Sequence, residues 1–277
     1  MPGPKDDPLL PLRHSTAHVM AQAVGDLFPG AKFGIGPAIE DGFYYDFDLP
    51  RPISEEDLQW VENRMKEIIR EGHPFAEREV TPAEARAFFK DQPYKLELIE
   101  DLVAGRVDEN GNQVAAPAQK LTFWTQNTFT DLCRGPHVQN TNQINPDAIS
   151  ITYKMPAGAY WRGDEKRPQL TRIYGTAWED PEDLQEYLHL LEEAKRRDHR
   201  ILGERLGLFT ISPLVGKGLP LWKPKGAILR DTLERWLRQV QLDNGYEPVV
   251  TPHIGNLNLY RTSGHYPYYK DSQYAPI

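Results

Sequence analysis

The spacing of apolar residues changes period several times along the chain, and each change marks an element. From His14, the set Ala17, Met20, Val24, Leu27 and Phe28 recurs at steps of three and four until Pro29 and Gly30 stop it, so the spacing predicts an amphipathic helix over 14–28. In "FYYDFDL" the period becomes two, with Phe43, Tyr45, Phe47 and Leu49 alternating with Tyr44, Asp46 and Asp48. Asp41-Gly42 is a tight-turn pair, and "FGIGPAI" before it completes a predicted hairpin. Gly34 and Gly36 leave the first arm open to close approach by another group. Ser54 is placed to cap a second helix ending at Gly72, with Asp57 at the position where a capping box usually carries glutamate. A shorter helix follows Thr81-Pro82, because proline suits the first helical position.

Further on, "AGRVDENGNQVAAPAQ" is a polar insertion expected to be a loop, and strand-like stretches resume at "KLTFWTQNTFTDL", "AISITYK" and "LTRIYGTAW". Helices and strands mixed with little βαβ regularity indicate an α+β domain ending near Trp178. Then Asp180-Pro181 opens a helix carrying Leu184, Tyr187, Leu188 and Leu191 on one stripe, a connecting element. A new unit begins near Leu208. Its main helix is expected to turn Ile228, Leu229, Leu233, Trp236, Leu237 and Val240 inward, to stop at Asn244-Gly245, and to lead through a short strand to Pro252. The expected division is 1–179, 180–206 as linker helix, and 207–277.

Composition narrows the class. The chain has 277 residues, 39% of them hydrophobic and 26% charged, which fits folded domains rather than disorder. No apolar run approaches the ~20 residues of a membrane span, and the first residues lack the order of a secretory signal. The lone cysteine, Cys133, has no internal disulfide partner, which suits a reducing compartment. A net charge of −8 argues against a generic nucleic-acid coat, although a local basic patch is compatible with an RNA partner. Arg162, Lys166, Arg167 and Arg172, and then Lys195, Arg196, Arg197 and Arg200, are the candidates; both groups also read as ordinary solvated faces.

His14 and His18 stand four residues apart, so a helix presents both imidazoles on one face. By itself that spacing is common in structural histidine pairs. The second candidate is "TDLCRGPHV", where Asp131, Cys133 and His137 surround Gly135-Pro136, a dipeptide that disfavours regular helix and implies a turn after a strand. Cys133 alone reads as a small buried hydrophobe. Taken together, HxxxH and CxxxH supply three imidazoles and a thiol, a tetrahedral set suited to zinc or, without metal, to holding a water.

HxxxH followed by CxxxH is similar to the editing domains of threonyl- and alanyl-tRNA synthetases. The segments "IGPAIEDGFYYDFDL", "DLCRGPHV", "AGAYWRGD", "RIYGTAW" and "EEAKRRDHR" resemble bacterial threonyl-tRNA synthetases in that order, and "GYEPVVTPHI" resembles class II motif 1, ending at Pro252. The resemblance runs from about Leu12 onward, without room for the family's small N-terminal domain. It implies an editing domain, a linker helix and the first part of an antiparallel class II domain. The chain as given stops before motifs 2 and 3 and before the residues that hold the family's catalytic zinc, so ligation of threonine with ATP and magnesium is not expected from it alone. What the resemblance implies for the part present is hydrolysis of seryl-tRNA(Thr), with tRNA(Thr) and serine or threonine esters as partners. The complete enzymes are cytoplasmic homodimers.

A positioned water, an oxyanion donor and a proton for the departing ribose oxygen are the chemical needs of such a reaction. His14, His18 and His137 are the water-holders or bases, and Asp131 orients one of them. Lys95 matches the family's "YK" lysine. Tyr44, which faces away from the alternating apolar set, is preferred to Tyr45 as the substrate-contacting tyrosine, and Gly36 joins it in the open hairpin arm. Cys133 is either a nucleophile or a neighbour of the water site. Editing is expected to need no cofactor, while zinc on His14, His18, Cys133 and His137, as in the alanyl branch, is the alternative. An inactive fragment, a tRNA-binding module and a structural zinc module are the competing classes.

Overall fold

The computed structural model describes residues 7–106, 117–216 and 218–274, so most of the loop expected at 104–119 lies outside the described residues. It divides into two compact units, Met1–Lys195 and Arg196–Ile277.

The first unit opens with α1, Leu10–Leu27. The helix starts a turn earlier than the apolar spacing predicts, because the Asp7 side chain accepts from the Leu9 amide and Pro11 tolerates the first turn. Nor is it amphipathic: twelve of its residues, including Arg13, Ser15, Thr16, His18 and Gln22, are buried. Polar side chains on a buried helix need partners. Arg13 finds Asp7 and lies over the Trp178 ring, and Thr16 donates to the Leu12 carbonyl.

The hairpin forms with its first arm split. β1 (Lys32–Phe33) and β2 (Ala38–Ile39) both pair antiparallel with β3 (Gly42–Asp48). Between them the Gly34 amide donates to the Asp46 carbonyl and the Asp46 amide to the Ile35 carbonyl, so hydrogen bonding continues across the gap. The period-two alternation sends Phe43, Tyr45 and Phe47 into the core against α1, each fully buried. Each such Phe contributes about 1.5–3 kcal/mol of burial.

α2 (Glu55–Glu71) has the predicted Ser54–Asp57 capping box, reinforced by Arg51 on the Asp57 carboxylate, and ends at Gly72 with φ +74°. β4 (Ala76–Val80) and α3 (Pro82–Phe88, capped by Thr81 and Glu84) follow. Then comes α4, Pro93–Val103. Sequence patterning passed over this helix, although Pro93 opens it and Tyr94, Leu98 and Leu102 make its buried stripe. β5 (Leu121–Gln126) and β6 (Phe129–Leu132) form a hairpin that pairs with β4 in a three-stranded sheet. The larger sheet is completed by β7 (Ile149–Ser150), β8 (Ala157–Tyr160) and β9 (Gln169–Ala177), in the order β1-β3-β9-β7, with β8 on β9. α5, Pro181–Arg196, closes the unit.

The second unit begins with α6 (His199–Arg205), capped by Asp198, so the expected single linker helix over 180–206 is two helices broken at Arg197-Asp198. β10 (Phe209–Ile211) pairs with β11 (Pro220–Trp222), and α7 (Pro224–Asp243) is followed by short helices α8 (Leu257–Thr262) and α9 (His265–Tyr268). Two expectations fail here. Residues 246–255 form no strand, and the apolar side of α7 is not inward: Ile228, Leu229, Leu233, Trp236, Leu237 and Val240 are all exposed. Two three-residue strands offer too little surface to cover a twenty-residue helix. The larger antiparallel sheet of a class II domain is absent among the described residues of this unit. No helix among the described residues is long and apolar enough to cross a membrane.

Candidate functional site

The buried polar face of α1 and the turn after β6 meet. His14 and His18 come from α1, and Cys133 and His137 from the segment that leaves the sheet at Leu132 and turns at Gly135-Pro136. One donor atom from each of these four residues lies within 4.8 Å of every other. Cys133 Sγ is 3.2 Å from His137 Nε2 and 3.5 Å from His18 Nε2. The His137 ring stacks on Phe75 at 4.9 Å, and its Nδ1 is 3.0 Å from Ser15 Oγ, which accepts from the Val138 amide.

A second polar group adjoins the first. Asp131, at the end of β6, forms an ion pair with Lys95 of α4; both side chains are almost fully buried. Tyr45 Oη donates to Asp131 Oδ2 at 2.5 Å and accepts from Lys95 Nζ at 3.0 Å. Asp131 Oδ1 also accepts from the Leu132 amide, and His18 Nε2 lies 3.8 Å from Oδ2. The carboxylate thus has three donors, the arrangement that makes a buried charge tolerable. A small cavity of about 30 Å³, room for a water or two, is bordered by His14, His18, Gly36, Lys95, Asp131 and Cys133.

Gly36 is required where it stands. A Cβ there would lie 2.0 Å from Tyr45 Cδ2, so the close approach is by the tyrosine ring of the neighbouring strand. Six predicted residues, His14, His18, Lys95, Asp131, Cys133 and His137, are therefore brought together, with Gly36 at the rim. Tyr44 is not. It lies on the other face of β3, opposite Tyr174, with the Arg172 guanidinium 3.8 Å above its ring. Its neighbour Tyr45 reaches the site, because a buried tyrosine hydroxyl must find partners and here they are Asp131 and Lys95. Ser15 and Gln126 were not singled out by sequence either.

Burial dominates the electrostatics. It lowers His14 from the usual histidine range to about 4, against an opposing pull from Asp131. Burial and neighbouring His14 and Lys95 hold His18 well below its normal value, and burial with the other two imidazoles does the same to His137. Tyr45 is pushed well above the ordinary tyrosine value by burial and by Asp131. At neutral pH the three imidazoles are uncharged, able to accept protons or to bind a cation. The chemistry of the donor set fits zinc: three neutral imidazoles and a thiol.

Several of the cations named as candidates for an RNA-facing patch form ion pairs. Arg162 and Arg167 bind Glu97, Arg172 binds Asp46, and Arg200 binds Asp198.

Comparison with known proteins bears on this geometry. Residues 121–174, which include Asp131, Cys133 and His137, match the family described as threonyl and alanyl tRNA synthetase second additional domain. A threonine–tRNA ligase of Deinococcus radiodurans is 52% identical over 272 residues, 96% of this chain and 39% of that protein. The chain is related to the bacterial threonyl-tRNA synthetases. Threonine–tRNA ligases of Gloeobacter violaceus and Borrelia duttonii are 52% and 46% identical over 95% and 99% of the chain. The chain spans about two fifths of the length of these curated relatives. Of the cluster, Cys133 and His137 lie within the segment that matches this family, and His14 and His18 precede it.

Proposed function

We propose that the first unit hydrolyses the ester of serine mischarged onto tRNA(Thr). The observation that carries this reading is the water-sized cavity bordered by His14, His18, Cys133, Lys95 and Asp131, with His137 and Tyr45 in contact with those lining residues. The family match supports it.

Serine and threonine differ by one methyl group, worth about 1–3 kcal/mol in a binding pocket, or roughly 10- to 200-fold. A ligase that selects threonine needs a second site that removes the smaller competitor. In the reaction, water adds to the ester carbonyl, the ribose 3′ oxygen leaves with a proton, and serine and tRNA are released. An imidazole held below its usual pKa is uncharged at neutral pH and keeps a lone pair free, so His14 and His18 orient the water by taking its hydrogen bond, and the water's proton passes through them to the ribose oxygen as the carbon–oxygen bond breaks. The Lys95 ammonium, fixed by Asp131 and Tyr45, faces the developing oxyanion. Gly36, which borders the cavity with the Tyr45 ring packed against it, is the part of the wall that would exclude the methyl of threonine.

This chemistry requires no cofactor. A second reading rests on the donor set itself: His14, His18, Cys133 and His137 would hold zinc, which would supply a Lewis acid. In a complete enzyme, the second unit would belong to the class II part that joins threonine to tRNA(Thr) using ATP, magnesium and its own zinc, as a cytoplasmic homodimer. The test is single-turnover deacylation: seryl-tRNA(Thr) is cleaved and threonyl-tRNA(Thr) is spared. Absence of serine release above buffer contradicts the proposal.

A further inference from the structure

His18 Nδ1 and Gln126 Oε1 are both buried, and neither has a hydrogen-bond partner among the described residues. They belong together. The Gln126 amide nitrogen donates to the backbone carbonyl of His18 at 3.1 Å, which fixes which end of the amide is nitrogen and leaves its oxygen as the unpartnered end beside the same residue. Gln126 itself is fully buried at the end of β5, and its amide favours a proton on the His18 ring. An acceptor at Nδ1 requires the hydrogen to sit there.

We infer that Gln126 is a positioning residue that holds His18 as the Nδ1–H tautomer, with the Nε2 lone pair directed at the Cys133 and Asp131 side of the pocket. The polarity of the neighbouring network is consistent from end to end. The Val138 amide donates to Ser15 Oγ, leaving the Ser15 hydroxyl proton for His137 Nδ1. His137 Nε2–H then faces Cys133 Sγ, and the thiol proton faces His18 Nε2. Gln126 terminates the chain as the acceptor. Without it, the acceptors left for a His18 ring proton, Cys133 Sγ at 3.5 Å and the charged Asp131 Oδ2 at 3.8 Å, both face Nε2, and the ring gains by moving its hydrogen to that nitrogen. His18 would then present a donor where the proposed hydrolysis needs an acceptor.

The tautomer stands independently of the hydrolase reading, whereas its kinetic consequence rests on that reading. The experiment is long-range proton–nitrogen NMR of the histidine side chains in the 277-residue chain, assigned by loss of the His18 signals in H18N. The wild type is expected to show a pyrrole-type Nδ1 and a pyridine-type Nε2 for His18. In Q126M the pattern reverses or becomes mixed, and single-turnover deacylation of seryl-tRNA(Thr) slows about 10- to 100-fold with substrate affinity unchanged, the range for residues that orient a histidine through its second nitrogen. Q126E, which keeps an acceptor at Nδ1, restores the wild-type tautomer. An Nε2–H tautomer in the wild type overturns the inference even if Q126M does not fold, and so does an unaltered tautomer in folded Q126M. A wild-type chain with the expected tautomer but no deacylation leaves the inference standing and removes the proposed function.

Discussion

Replacing Asp131 by asparagine removes the carboxylate that pairs with a lysine whose side chain is 3% exposed. The Lys95 ammonium would keep Tyr45 as partner but lose its counter-charge in a site that also depresses histidine protonation. Removing one member of a buried ion pair costs about 3–5 kcal/mol, because the other is left uncompensated. For a chain of this size that corresponds to a fall in melting temperature of roughly 6–20 °C. Lys95→Met leaves the opposite charge stranded and is expected to cost a similar amount. The double variant removes both charges and is expected to be less destabilised than the sum of the singles by ~0.5–3 kcal/mol. Urea titrations of the four proteins, followed by circular dichroism, measure this coupling. Strict additivity, within about 0.5 kcal/mol, would refute the view that these two charges depend on each other.

Other consequences are as direct. Gly36→Ala drives a methyl into the Tyr45 ring, which is stacked on Phe47 and tied to Asp131, so a loss of about 1–3 kcal/mol from overpacking is expected, with deacylation impaired; unchanged urea midpoints contradict this. Tyr45→Phe is expected to slow deacylation strongly and Tyr44→Phe hardly at all; the reverse order in rate measurements would return the role to Tyr44. His14 binds a proton near pH 4 when folded but near 6.5 when unfolded, so the unfolded state binds more protons between those values. Stability should therefore decline as pH falls from 6.5 toward 4, and His14→Asn should flatten that decline in urea midpoints; an equal slope in both proteins argues against a buried neutral His14. The metal-free reading predicts substoichiometric zinc in protein purified without chelator and deacylation insensitive to chelator. Stoichiometric zinc that disappears in His14→Ala overturns that reading.

Local chemistry made much of the fold legible. The capping box at Ser54–Asp57, the stop at Gly72 and the alternation of β3 are set by neighbours in sequence, and they stand as patterned. The amphipathic reading of α1 failed because a helix enclosed by other elements buries its polar face too, and a helical pattern records only the apolar one. Lys95 came from family resemblance, since the helix that carries it was not recognised. Tyr44 was preferred to Tyr45 by treating the inward face as purely apolar. A fully buried tyrosine needs a partner for its hydroxyl, and that rule, applied to the same alternation, points to Tyr45. Gln126 could not be found from spacing, because its role depends on β5 lying beside α1, a contact spanning 108 residues of sequence. In the second unit, the α7 stripe was read correctly as apolar, but an apolar stripe does not specify what covers it.

The central claim is that a polar face of α1 and the turn after β6 form one hydrolytic pocket. Single-turnover cleavage of seryl-tRNA(Thr) by the wild type and by His18→Ala tests it most directly. The predicted result is cleavage by the wild type and a loss of about 10²- to 10⁴-fold in the variant, the contribution of a positioned acid–base group. Equal rates from the two folded proteins would contradict it.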